Sequence, residues 1–204
     1  MQDNFEVKVA SGNIAQVKYA LQGDPTLLLH FRDGSLFRSA INAGCHEIVE
    51  ILLAHPLTDP SRRHFAYLLP DKLTAKCVQV LLHDKRVPLE AMTYTIACAN
   101  LECVQWLIAS GREFDWSAGM FDGLFMASEN AKLLARHKAN PQQVTQEMRA
   151  LLSIQEFEVT EPPLMTPQQY CDCLNGKGFP GATGSDSLFA PPFAGTANTV
   201  FISC

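Results

Sequence analysis

Ala40-Ile41-Asn42-Ala43-Gly44-Cys45-His46-Glu47-Ile48-Val49-Glu50-Ile51-Leu52-Leu53 is the stretch on which the fold turns. Its opening residues read as the end of a short helix, Gly44 as a tight turn, and Glu47 onward as a second helix. The apolar residues 48, 49, 52 and 53 fall at i, i+1, i+4 and i+5, one broad stripe on a 3.6-residue period. One helix pair of this size cannot bury its own stripe, so Val49, Leu52 and Leu53 need a neighbour on each side. Each such burial contributes about 1.5–3 kcal/mol, offset by the cost of ordering the chain.

Weaker copies of the second helix supply those neighbours. Gly12 followed by Ile14-Ala15-Gln16-Val17-Lys18-Tyr19-Ala20-Leu21 forms a first unit, and the opening stretch is the second. Cys77-Val78-Gln79-Val80-Leu81-Leu82 gives a third unit, Cys103-Val104-Gln105-Trp106-Leu107-Ile108 a fourth, and Ala131-Lys132-Leu133-Leu134 closes a fifth. The terminal residues Leu21, Leu53, Leu82, Ile108 and Leu134 are separated by 32, 29, 26 and 26 residues. A bounded period of this size predicts a helical solenoid. The connectors repeat too, in Thr58-Asp59-Pro60, Val87-Pro88-Leu89, Phe114-Asp115-Trp116 and Ala139-Asn140-Pro141. Asp or Asn before Pro is turn and capping chemistry. Asn140-Pro141 therefore predicts a terminal helix through Val144, Met148, Leu151 and Leu152 that covers the end of the array.

Over about residues 5–150 the chain resembles the ankyrin-repeat family. The resemblance is carried by Asp33-Gly34, Ala40, Gly44 and the second helix Glu47-Ile48-Val49-Glu50-Ile51-Leu52-Leu53. The family's T-P-L-H signature is absent, with Ser35-Leu36-Phe37-Arg38 near its place, and several units are shorter than about 33 residues. The resemblance implies an all-α fold, an α-solenoid of stacked helix-turn-helix repeats over residues 1–152. The competing architecture is another α-solenoid or an irregular helical bundle. Residues 153–204 hold Glu161-Pro162-Pro163, Gly176-Lys177-Gly178 and Ala190-Pro191-Pro192, and predict a mostly irregular or disordered tail.

A formal charge of −5 on 204 residues, with 15 Lys+Arg against 16 Asp+Glu up to residue 150, lacks the clustered basic surface of a nucleic-acid binder. No apolar run reaches the roughly 20 residues of a spanning helix, and Met1-Gln2-Asp3-Asn4-Phe5-Glu6 shows no secretory leader. Seven scattered cysteines suit a reducing compartment better than a disulfide framework. A cytoplasmic monomer without cofactor is the expectation.

Candidate chemistry is sparse. Cys77 and Cys103 occupy the position of Ile48 and read as small buried hydrophobes. Cys45-His46 pairs a thiol with an imidazole, but neighbours at i and i+1 do not face each other on a helix. Cys171, Cys173 and Cys204 form the only thiol group suggestive of metal or redox chemistry, without a histidine nearby in the tail. His55, His83 and His137 follow the Leu-Leu pairs and read as helix C-terminal imidazoliums. Phosphate loops, zincin helices and nucleophile elbows are absent from the sequence. The expected activity is therefore non-enzymatic. In ankyrin-like proteins the inner helices and connector tips line a concave binding face. Arg62, Arg63, Lys85, Arg86, Arg112, Phe114 and Trp116 lie on such tips and belong to residue types enriched at interface hot spots. The reading is a protein–protein interaction module. Its alternative is a two-part adaptor whose array holds a client while the tail supplies a second motif at 166–174 or 188–193.

Overall fold

A computed structural model describes residues 2–24, 27–28, 35–55, 57–58, 60, 68–114, 129–160 and 169. Among these, the chain is all-α, with nine helices and no strand beyond a single bridge between Asp84 and Thr160. In order they are α1 (Gln2–Ala10), α2 (Ile14–Gly23), α3 (Ser35–Asn42), α4 (His46–Ala54), α5 (Ala75–His83), α6 (Leu89–Cys98), α7 (Leu101–Ser110), α8 (Glu129–Ala139) and α9 (Pro141–Leu151). A 3-10 turn at Pro70–Lys72 precedes α5. No helix among the described residues is long and apolar enough to cross a membrane.

The opening stretch folds as its pattern requires. Gly12 and Gly44 sit at φ +68° and +67°, left-handed backbone that glycine adopts without a Cβ penalty. The Gly44 N–H donates to Ile41 O at 2.9 Å and the Cys45 N–H to Ala40 O at 3.1 Å. These bonds satisfy carbonyls that the end of α3 leaves open. Where the turn glycine is missing, an N-cap side chain still starts the next helix, as Asn13 does after Gly12 by accepting the Gln16 N–H at 3.1 Å. Thr74 accepts from the Cys77 N–H at 3.2 Å and Asn100 from the Cys103 N–H at 3.0 Å. Both place a cysteine at the first buried position, and Cys77 and Cys103 are fully buried.

Packing follows the order of the chain. Helix α2 lies against α4, α4 against α5, α5 against α7 and α7 against α9, while α1 meets α3 and α6 meets α8. The helices ending near Leu53, Leu82 and Ile108 are thus in contact in sequence order. Their facing residues Ile48, Val49, Leu52, Val78, Leu81, Leu82, Leu107 and Ile108 are at most 1 % exposed. Bonds linking positions 33 residues apart recur along the chain, in this row and in the helices beside it. Ser39 Oγ donates to Glu6 Oε1, the Cys45 thiol to Gly12 O, Arg86 to Leu53 O and Asn130 to Ala97 O.

Three expectations change. Ala131–Leu134 does not close a second helix; it lies in α8, which packs against α6, α7 and α9. Helix α9 instead takes the place against α7, burying Val144 and Met148 but leaving Leu151 61 % exposed. A lone Leu133-Leu134 pair fits either helix of a pair, and only its contacts separate them. Asn140 does precede α9, with Pro141 in its first turn, yet its side chain makes no capping bond. Finally, residues 153–160, assigned to the tail by composition, lie on the helices: Phe157 is 8 % exposed and joins the main apolar core. The tail motifs at 188–193 and, apart from Gln169, at 166–174 lie outside the described residues.

Candidate binding surface

Two of the connector-tip arginines, Arg86 and Arg112, come together around the end of α5 and bond inward. Asp84 follows α5 and is 3 % exposed. Arg86 closes on it through Nε to Oδ1 at 3.0 Å and Nη2 to Oδ2 at 2.6 Å, then donates from Nη2 to Leu53 O at 2.7 Å. Its side chain is 5 % exposed. Arg112, just past α7, gathers four carbonyls: Leu82 at 3.2 Å, Asp84 at 3.0 Å, Lys85 at 3.3 Å and Val87 at 2.8 Å. Burial holds its guanidinium below the usual range, against the opposing pull of Asp84 and Glu90. Arg149 repeats the arrangement with Nε on Ala109 O at 2.8 Å. Each arginine thus reaches back to the C-terminal end of an earlier helix, where open carbonyls and the negative dipole end favour a cation.

Of the seven sequence candidates, then, Arg86 and Arg112 have their guanidiniums bound within the chain. Phe114 is half-buried and stacks on His137, ring centroids 5.7 Å apart at 10°. Lys85 is exposed, with its backbone N–H donated to Thr160 O at 2.8 Å. Arg62, Arg63 and Trp116 lie outside the described residues.

The imidazoliums expected at helix ends are neutral rings instead. His55 is 5 % exposed and burial lowers its pKa to about 4. Its Nδ1 accepts the Leu57 N–H at 3.2 Å, which a protonated ring could not do. Burial also lowers His83 and His137. Desolvation here outweighs the helix dipole, which is worth only about 0.3–1 kcal/mol near a surface. Cys45 and His46 both approach Glu47 Oε2, at 3.6 and 3.1 Å. Burial raises the Cys45 thiol, so this group favours a protonated thiol. Among the described residues no three His, Cys, Asp or Glu side chains are grouped to hold a metal. Cys171, Cys173 and Cys204 lie outside them.

An exposed apolar patch lies elsewhere. Leu69, Tyr94 and Leu101 are 50, 51 and 39 % exposed. Of these, Tyr94 lines a groove of about 530 Å³ between the 3-10 turn and the end of α6, together with Pro70, Leu73, Cys98 and Ala99 and with Asp71 and Asn100 at its polar edge; Leu69 and Leu101 are the chain neighbours of its lining residues Pro70 and Asn100. The Cys98 thiol, one turn along α6, holds the Tyr94 phenol above its ordinary range. Comparison with protein-family models, curated proteins and solved structures gives no match. The groove therefore stands on its own chemistry: a tyrosine, a leucine and a small-residue floor, with one carboxylate beside them. The sequence carried a faint signal for it. Leu89, Met92 and Ile96 are the buried stripe of α6, and Tyr94 is a large aromatic outside that stripe.

Proposed function

We propose that the chain is a non-enzymatic protein-interaction module, a short ankyrin-like solenoid that binds another protein through the groove beside Tyr94. The supporting observation is the half-exposed Tyr94 on the wall of a mostly apolar cleft that Leu73, Pro70 and Ala99 also line. An exposed tyrosine at an apolar concavity is of the residue type enriched at interface hot spots. The row of second helices in chain order and the bonds spanning 33 residues support the solenoid reading. In this reading Arg86 and Arg112 hold units together, and the partner meets the apolar groove and its Asp71 edge.

A photo-crosslinking amino acid at position 94, in the full-length protein, is expected to capture one discrete partner. The same group at Tyr19, 77 % exposed on α2, is expected not to capture it. Equal capture from both positions, or none from position 94, rejects the groove as the binding surface.

A further inference from the structure

After α9 the backbone turns at Ser153, the one non-glycine residue with a left-handed φ (57°) among the described residues. Residues 154–160 then run without helix across α7 and onto the C-terminal end of α5. Phe157 is the anchor. It stacks on the His83 ring, centroids 4.3 Å apart at 11°, and meets Trp106 edge-on at 6.2 Å. The backbone is held beside it: His83 Nδ1–H donates to Glu158 O at 2.5 Å, the Thr160 N–H to His83 O at 2.7 Å, and the Lys85 N–H to Thr160 O at 2.8 Å. Gln155, Glu156, Glu158 and Val159 remain exposed. A cavity of about 570 Å³ lies alongside, lined by Gln79, His83, Trp106, Ile154 and Phe157 among others.

This is how an extended peptide docks on a receptor: main-chain bonds give affinity and one side-chain pocket gives selectivity. We propose that the cleft over α5 and α7 is a docking site for an extended acidic segment with an aromatic anchor, and that residues 154–160 occupy it as a competing internal ligand. The chemistry of the occupant is read from the segment already seated there, a phenylalanine flanked by Glu156 and Glu158, and from the receiving side, where the neutral His83 ring stacks on the phenylalanine and Lys85 stands beside the segment's end. One buried side chain and a few main-chain bonds make a displaceable seat. An internal ligand lowers the apparent affinity for an external one by the fraction of molecules in which the seat is open. The cleft is distinct from the groove beside Tyr94, so either can fail without the other.

The test uses the full-length protein and a fluorescein-labelled peptide with the sequence of residues 152–162, followed by anisotropy. Phe157→Ala is expected to bind the peptide at least ten-fold more tightly than wild type. Thr160→Pro, which removes the N–H donated to His83 O, is expected to give a smaller gain in the same direction. It decides the matter if circular dichroism finds that Phe157→Ala has lost helicity. A peptide with alanine for the phenylalanine, and one with lysines for the glutamates, are each expected to bind at least ten-fold more weakly. Equal affinity of the peptide for wild type and for the folded variants, or no binding to any of them, overturns the internal-ligand reading. Undiminished binding of either altered peptide overturns the partner chemistry.

Discussion

Arg112→Met separates the two roles open to this arginine. On a partner-binding tip its loss leaves stability untouched; as a staple between units its loss weakens the protein. The guanidinium bonds four carbonyls at 2.8–3.3 Å, all on the segment from Leu82 to Val87. Hydrogen bonds to a charged group are worth about 1.5–3 kcal/mol each when taken singly. They do not add here, because one half-buried cation makes all four, and its desolvation opposes them. Leaving a buried acceptor unsatisfied costs about 1–3 kcal/mol. Lys85 is exposed, so water can replace part of what is lost, which favours a total of about 3 kcal/mol over the four carbonyls. For a chain of this size that lowers the melting temperature by roughly 6–12 °C. Methionine keeps the aliphatic stem and isolates the loss of the head group. Arg112→Lys is expected to recover less than half, because an ammonium offers three donors from one point and no planar fork. Thermal and urea melts followed by circular dichroism measure both variants. A methionine variant within about 0.5 kcal/mol of wild type, the usual range for an uninvolved surface site, refutes the staple.

The buried neutral histidines make stability depend on acid. His55 has a folded pKa near 4 against an ordinary 6.5, so its contribution is complete above about pH 6.5 and is lost as pH falls toward 4. The loss is about 3 kcal/mol at most, with His83 and His137 acting in the same direction. His55→Asn keeps an acceptor for the Leu57 N–H and cannot titrate there, so its urea midpoint is expected to fall less than wild type between pH 7 and 4.5; parallel curves would exclude His55 as the source. Burial holds the Cys103 thiol at about 12 and also raises Cys77, whereas Cys45 and Cys98 are half-exposed. Alkylation of the native protein, mapped by mass spectrometry, is expected at Cys98 and Cys45 well before Cys77 and Cys103. Cys103 labelling as fast as Cys98 would contradict the packing around α7.

Much of the helix row was legible because the signal for it is local. A 3.6-residue apolar stripe, a glycine between two helices, and Thr or Asn ahead of a helix are short-range features. They identified α2, α4, α5 and α7, and put Cys77 and Cys103 inside. The reading slipped where two placements satisfy the same pattern. Leu133-Leu134 suits the first helix of a pair as well as the second, and α9 was legible as a helix but not as the partner of α7. Ile154 and Phe157 stand among glutamates and a glutamine in a stretch that composition assigns to a tail, and only the seat made by His83 and Trp106 accounts for Phe157 being buried.

Local periodicity dictates which segments become helices and which faces are apolar, because those choices depend on residues within a turn or two of each other. The destination of a long charged or aromatic side chain depends on groups brought close by folding. Arg112 meets carbonyls 25–30 positions earlier, and Phe157 meets a ring 74 positions earlier. In sequence, a binding arginine and a stapling arginine are the same letter on the same kind of loop. The tertiary structure tells them apart, because both terminal nitrogens of the Arg112 guanidinium are already bonded to carbonyls between Leu82 and Val87.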